Sequence, residues 1–400
     1  MRITIHENQY KEFVMKRFFC VVLVAVFATA LCFAQELKFD GYLNSGIGLW
    51  MSNEEDNDDP QLMIYGVDSE RFFGRFRLNG AYANADQTAG ANFRLQVQGT
   101  GSRTEFGNIP TLAFGYGWIK LADMFTIKAG LVDDGTWATG DGTHNDDQGE
   151  GAGVLVRATP ITGLDLGVGA YVASYESGSN NNVIPVLPSQ FVLDEAKYTF
   201  NAAYTMDKVF RLMLSGRTKN ETEGDSAAKT SHALAEFRLL SINNLTAVVV
   251  GELNKLDDYS DSGETNFYET ISYRMGDLSF GLNAAQYLRN VPSGSDAAND
   301  LALRLNPWVS FALNEGKMVP RLDVVYFMGG RQNGTNYHRK AFSTTYDADS
   351  YVINARPSVR FNLDNRTSFE VGDSFYYNMP GKDADGVINN VFYADFIIRF

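Results

Sequence analysis

The sequence predicts an all-β fold, a transmembrane antiparallel up-and-down β-barrel of about eighteen strands, with about sixteen as the alternative. Three observations predict it. Apolar residues recur with period two along most of the chain. The connections between these stretches alternate between long polar segments and tight turns. The chain opens with a segment built for export.

Composition sets the limits. The 400 residues carry 48 acidic against 34 basic side chains, a net charge of −14. A protein that binds nucleic acid by neutralising phosphates needs the opposite sign, so no nucleic-acid partner is expected. With 44% hydrophobic and 20% charged residues the chain is too apolar for disorder. A mean hydropathy of −0.21 excludes a bundle of membrane helices. Phe and Tyr number 28 and 20 against 10 Pro, with 37 Gly, a balance that favours strands and tight turns.

The export segment comes first in the chain. Lys16 and Arg17 precede an apolar run from Phe18 to Ala30, and Leu31-Cys32-Phe33-Ala34 ends on a small residue suited to cleavage. Residues 1–34 therefore read as a signal peptide with an N-terminal extension, cut after Ala34, with Met15 as an alternative start. Residues 35–400 form a single domain. Both cysteines, Cys20 and Cys32, leave with the leader, so neither a disulfide framework nor thiol chemistry is expected.

Strands are expected near 37–50, 69–83, 90–100, 110–122, 124–133, 151–158, 164–174, 194–205 and 208–218. In the second half they fall near 229–240, 244–254, 265–275, 277–288, 300–313, 318–329, 350–362, 366–376 and 390–400. Each alternates as a half-buried strand does: Phe76 and Leu78 between Arg75, Arg77 and Asn79; Phe93, Leu95 and Val97 between Asn92, Arg94 and Gln96; Leu303 and Leu305 around Arg304. Stretches of about ten residues suit a tilted crossing of a hydrocarbon layer. Long connections fall at 52–68, 134–150, 175–193, 255–264, 289–299 and 330–349, and tight ones at 122–123, 206–207, 241–243, 276, 314–317 and 363–365. One rim of long loops and one of tight turns is the pattern of a barrel in a membrane. A soluble barrel of this strand number would enclose a lumen that side chains cannot fill. The polar face is therefore the inside, and the apolar face meets lipid.

Aromatic residues gather on the apolar face near the tight-turn rim: Tyr82, Phe93, Trp118, Phe125, Tyr204, Phe210, Tyr273, Phe311, Phe361 and Phe369, as in an interfacial girdle. The chain ends with Phe392, Phe396, Ile398 and Phe400 on one face. With the leader and the alternating loops, this ending resembles bacterial outer-membrane porins. The resemblance covers the whole mature chain at the level of pattern. It implies passive diffusion of small hydrophilic solutes and ions, a homotrimer, outer-membrane lipid as surroundings, and recognition of the C-terminal strand by the barrel-assembly machinery. It also implies that the third long loop, 134–150, folds into the lumen as a constriction.

Pore selectivity needs fixed charges at a narrow place. The acidic candidates are Asp133, Asp134, Asp141, Asp146, Asp147 and Glu150. The basic candidates are Arg71, Arg75, Arg77, Arg94, Lys128 and Arg157 on polar strand faces. Arg71, Arg75 and Arg77 share one face and repel, so this ladder needs acidic partners, which loop 134–150 could supply, or an anionic permeant. The alternative reading is a polar interior whose arginines are simply solvated or paired. A substrate-selective channel, for example for sugars, would use the aromatic path Tyr171, Tyr268, Tyr287, Trp308 and Tyr326. A surface adhesin or structural barrel would use only the long loops.

Catalytic and metal signals are weak. The acidic cluster 53–59 reads first as a solvated loop tip. Asp141-Gly142-Thr143-His144-Asn145-Asp146 lacks the spacing of a calcium loop. Of the histidines His6, His144, His232 and His338, only His232 has an adjacent serine, Ser231, and neighbouring strand residues point to opposite faces. No enzyme activity, metal site or cofactor is expected.

Overall fold

The computed structural model describes residues 36–53, 60–64, 75–98, 111–139, 149, 151–171, 196–218, 231–256, 259, 263–289, 301–328, 351–379 and 385–400. The leader and the 53–59 cluster beyond Asn53 lie outside these residues, as do Arg71, Asp141, His144, Asp146, Asp147, Glu150 and His338.

The first quarter contains β1 (Glu36–Ser52), β2 (Gln61–Ile64), β3 (Arg75–Ala83), β4 (Ala89–Gln98) and β5 (Thr111–Leu121). Then come β6 (Phe125–Val132), β7 (Gly151–Ile161), β8 (Leu164–Tyr171), β9 (Lys197–Met206) and β10 (Phe210–Arg217). The later strands are β11 (His232–Leu239), β12 (Leu245–Asn254), β13 (Glu264–Met275), β14 (Leu278–Arg289) and β15 (Leu301–Phe311). The series closes with β16 (Met318–Met328), β17 (Tyr351–Asn362), β18 (Thr367–Met379) and β19 (Val387–Arg399). From β3 onward each strand pairs antiparallel with the next, and β19 returns to β1. β2 pairs with Ile47–Trp50 and β3 with Glu36–Asn44 of the same flank of β1, so the two together fill one place in the wall. The wall thus has 18 strands and no open edge. Closure matters because an unpaired strand edge cannot be satisfied in hydrocarbon. Among the described residues no helix is long and apolar enough to cross a membrane.

Alternation fixes which face is which. Phe39, Ile47, Val168, Phe200, Leu214, Val249 and Ile271 are exposed on the outside. Their neighbours Asn201, Ser215, Glu236, Asn266, Arg304, Asp323 and Asn354 are buried on the inside. This is the reverse of a soluble protein, and it follows from lipid outside and polar groups within. The tight-turn rim uses left-handed backbone at Ala122, Asp123, Asn244 and Gly276 (φ 51°, 54°, 64° and 61°), which two-residue hairpins require. At the last of these turns Asp364 accepts from the backbone N–H groups of Arg366 and Thr367, at 2.7 Å each. These bonds hold its carboxyl below the usual range.

The outward girdle at this rim includes Tyr204 against Phe210, Phe210 against Phe237, Tyr273 against Phe280, and Phe361, Phe369 and Phe396 in a row. Trp118 is a correction. It faces the lumen opposite Gly90, with the Lys120 ammonium 5.6 Å from its ring. The cause is a bulge between β4 and β5: Arg94 pairs with Phe114 and Leu95 with Leu112, so Ala113 is extra and every later side chain of β5 changes face. Tyr326 is a second correction. Val325 and Phe327 are lumenal and buried, so period two sends Tyr326 outward, where it joins Tyr351 and Tyr377 at the opposite rim.

Candidate functional site: the pore constriction

Three arginines stand in lumenal registers of β3 and β4. Arg75 donates to the Tyr42 hydroxyl at 3.3 Å, and Arg77 Nε to Gln96 Oε1 at 2.6 Å. Arg94 Nε donates to Asn79 Oδ1 at 2.9 Å, and Asn79 in turn to Asp40 at 2.5 Å. Aromatic faces complete the set: the Arg77 guanidinium lies 5.6 Å from the Tyr42 ring and that of Arg94 4.6 Å from Phe114. Neutral acceptors and ring faces offset part of the repulsion of this ladder.

The chain leaves β6 at Asp133 and turns inward. Asp133 lies 3.5 Å from Arg94, and Asp134 lies 2.9 Å from Lys128 on β6. Asp134 Oδ1 also accepts from the Thr136 backbone N–H at 3.1 Å and its hydroxyl at 2.6 Å, which starts a 3₁₀ turn, Gly135–Trp137. Burial opposes ionisation of Asp134, but Lys128 and the Thr136 bonds outweigh it and hold the carboxyl below its usual value. Its backbone N–H donates to Gly149 O at 3.3 Å, so the outgoing and returning limbs of the loop meet there.

The far end of this segment is fastened to the wall several strands away. Arg211 on β10 donates to the Thr136 carbonyl at 2.7 Å, and Arg238 on β11 to that of Thr139 at 3.1 Å. Glu236, fully buried, pairs with both guanidinia. Trp137 is wholly buried against Gly167 of β8. Residues 133–139 therefore form a strap along the inner wall from β6 toward β11, and residues 140–148 and 150 of the expected third loop lie outside the described residues.

Of the charges singled out in the sequence, the structure brings together Arg94, Lys128, Asp133 and Asp134. Arg157 pairs instead with Asp165 of β8. Arg211, Glu236 and Arg238 went unnoticed as site residues. Their polar-face alternation is visible, but nothing local marks which loop lands on them. A second basic wall also emerged: Arg304, Arg321, Arg356 and Arg360 face the lumen, with Asp323 the one acidic residue of β15, β16 and β17. Arg321 forks onto Asp323 through two 2.8 Å bonds and covers Trp308 at 4.5 Å. Tyr171, Tyr268, Tyr287 and Trp308 of the expected aromatic path do face inward, and Tyr268 meets Tyr287 edge to face. His232 Nε2 lies 2.8 Å from Glu252, which also accepts from Asn266 and Tyr268. Among the described residues no cluster of three or more metal-ligating side chains occurs.

No protein-family model and no curated protein matches the sequence. Solved structures match the fold. OccAB1 of Acinetobacter baumannii aligns over 92% of this chain and 97% of its own, with a TM-score of 0.58 and 12% identity. The outer membrane protein OprD of Pseudomonas aeruginosa aligns over 92% and 95%, with a TM-score of 0.55 and 11% identity. The outer membrane protein OpdK of the same species aligns over 92% and 100%, at 0.55 and 9%. At these identities the likeness is one of fold.

Proposed function

We propose that the protein is an outer-membrane porin, a passive channel and not an enzyme, through which small hydrophilic solutes and ions diffuse. The observation that carries this reading is the polar lumen of a closed, lipid-faced barrel, narrowed by a strap docked at both ends. Size exclusion and electrostatic selection act where the strap lies. Asp133 and Asp134 lie beside Arg94 and Lys128, and across β15–β17 the lumen carries Arg304, Arg321, Arg356 and Arg360 beside Asp323, with Glu370 of β18 opposite Arg360. Single-channel recording of the refolded barrel in KCl tests the channel. Discrete conductance steps are expected. A folded barrel without steps would refute the channel.

The leader, residues 1–34, delivers the chain across the inner membrane in this reading, and the outward row Phe392, Phe396, Ile398 and Phe400 presents the last strand to the barrel-assembly machinery. The assembled state is a homotrimer. Glu269 on β13 and Gln286 on β14 are bonded at 3.2 Å in lipid-facing registers. An arginine at the midplane of that face costs about 2–4 kcal/mol and an acidic residue less, so a contact with a neighbouring copy that covers the pair is favoured. Native mass measurement in mild detergent is expected to give a trimer that dissociates in Glu269→Leu/Gln286→Leu. A wild-type protein that is monomeric under these conditions would set the trimer aside.

A further inference from the structure

Beside the strap, the inner wall carries polar groups that no other described residue satisfies. Asn201 on β9 is directly opposite Ser215 on β10, and Thr199 is opposite Arg217, which is opposite His232 on β11. Asn201, Thr199, Ser215 and His232 are each more than nine-tenths buried. Both side-chain atoms of Asn201 lack a hydrogen-bond partner, as do Thr199 Oγ1, Ser215 Oγ and His232 Nδ1. Buried polar groups are normally satisfied, so a contiguous set left open marks a place for something outside the chain.

The adjoining strand gives this patch its shape. On β8, Gly167 is in register with Asn201 and Gly169 with Thr199. A Cβ at Gly167 would come within 2.3 Å of the Trp137 ring, and one at Gly169 within 2.5 Å of the Tyr171 ring. The two glycines thus leave a floor over which two aromatic rings lie beside the polar groups. The indole Nε1 of Trp137 also lacks a partner.

We propose that this patch is a binding subsite for a neutral, hydroxyl-rich solute, a sugar or polyol, roofed by Trp137 of the strap. The inference rests on the channel reading and names one solute class for it. The donor and acceptor pattern decides the chemistry. The Asn201 amide supplies a donor and an acceptor, and the Thr199 and Ser215 hydroxyls supply either. A carboxylate would suit the Arg217 Nε–H, which also lacks a partner among the described residues, but it only accepts and leaves the Asn201 carbonyl oxygen without a donor. A solute hydroxyl can answer every group. Ring faces beside a polar rim suit the mixed surface of a pyranose, whose C–H groups pack on aromatics while its hydroxyls bond laterally. The deep burial of the patch under the docked strap means that entry requires the Trp137 roof to lift.

Calorimetric titration of glucose into the barrel folded in detergent tests this without reliance on conduction. Saturable binding in the millimolar range is expected for the wild type. It should weaken at least tenfold in Asn201→Leu/Ser215→Ala and several-fold in Thr199→Val, which keeps shape and removes one hydroxyl. Heat-modifiable migration confirms that each variant is folded, and Thr199→Val carries the test where the double variant fails to fold. Absence of binding to folded wild-type protein would leave the patch to ordered water and overturn the proposal. So would binding unchanged in the variants, or gluconate bound more tightly than glucose. Glucose binding without channel steps in a bilayer would sink the channel reading alone, and channel steps without glucose binding would sink the subsite alone.

Discussion

Replacing Glu236 with leucine is expected to release the strap and widen the pore. Glu236 is fully buried and pairs with Arg211 and Arg238, and these two guanidinia hold the carbonyls of Thr136 and Thr139. Without the carboxylate the two cations repel each other and turn toward water, taking with them the donors that fasten the strap. Breaking a buried pair from one side costs about 3–5 kcal/mol. The guanidinia here are 16% and 28% exposed, so the lower end applies. Glu236→Gln, which keeps an acceptor and loses the charge, should fall between. The readout is the single-channel step, larger in Glu236→Leu than in the wild type. An unchanged step from a folded Glu236→Leu barrel would show that the pore is narrowest elsewhere.

The other end of the strap gives a pH readout. The Asp134 carboxyl is depressed when docked on Lys128 and Thr136. A depressed carboxyl contributes stability that is complete above the value it has when released, near the usual 3.8, and is lost as pH falls through the docked value. The step should therefore hold constant from neutral pH to about 5 and grow only in stronger acid, and Asp134→Asn should show the larger step at every pH. Growth that begins near pH 6.5 in the wild type would point to a histidine instead and contradict this account.

The wall was legible in the sequence because its physics is local. Period two survives in most strands, and even the short strands expected at 124–133 and 151–158 appear as β6 and β7. The reading erred at two places: the single extra residue Ala113 turned Trp118 inward, and the unbroken alternation of Asp323, Val325 and Phe327 sends Tyr326 outward. One residue is enough because the side-chain period is two. The strap was legible at its near end, where Asp133, Asp134, Arg94 and Lys128 stood out as charges beside a long loop. Its far end was not. Arg211 meets Thr136 across 75 residues and Arg238 meets Thr139 across 99. Only the curvature of the closed wall brings those strands opposite the loop, and a pattern read strand by strand has no access to curvature. The unpartnered set around Asn201 was hidden for the same reason, since neighbouring polar registers become a site only when a loop covers them.

Replacing Gly41 with valine is expected to prevent the barrel from closing. The closing seam joins β1 to β19, and at its end Gly41 and Phe400 exchange both backbone hydrogen bonds at 3.1 Å. On the other flank of β1, Gly41 faces Leu78 of β3. A Cβ at Gly41 would lie 2.2 Å from the Arg77 carbonyl oxygen and 2.8 Å from the Phe400 ring. The ring can rotate away, but the carbonyl belongs to the ladder and cannot. The bare glycine also lets Phe400 lie across the seam and stack on Phe76, with ring centroids 6.1 Å apart. Phe400→Ala removes that stack, about 0.5–1.5 kcal/mol, and leaves the ladder intact, so it should fold with lower thermal stability. Gly41→Val instead displaces β1 from both neighbours. A seam open along β1 and β19 would expose backbone donors and acceptors to hydrocarbon, at several kcal/mol for each unsatisfied group, so partial closure has no stable form. Loss of the heat-modifiable band in refolded Gly41→Val, beside its retention in Phe400→Ala, is the expected pair of results. A Gly41→Val protein that migrates as the folded wild type would mean that β1 can shift at the seam, and that the close packing around Gly41 does not govern closure.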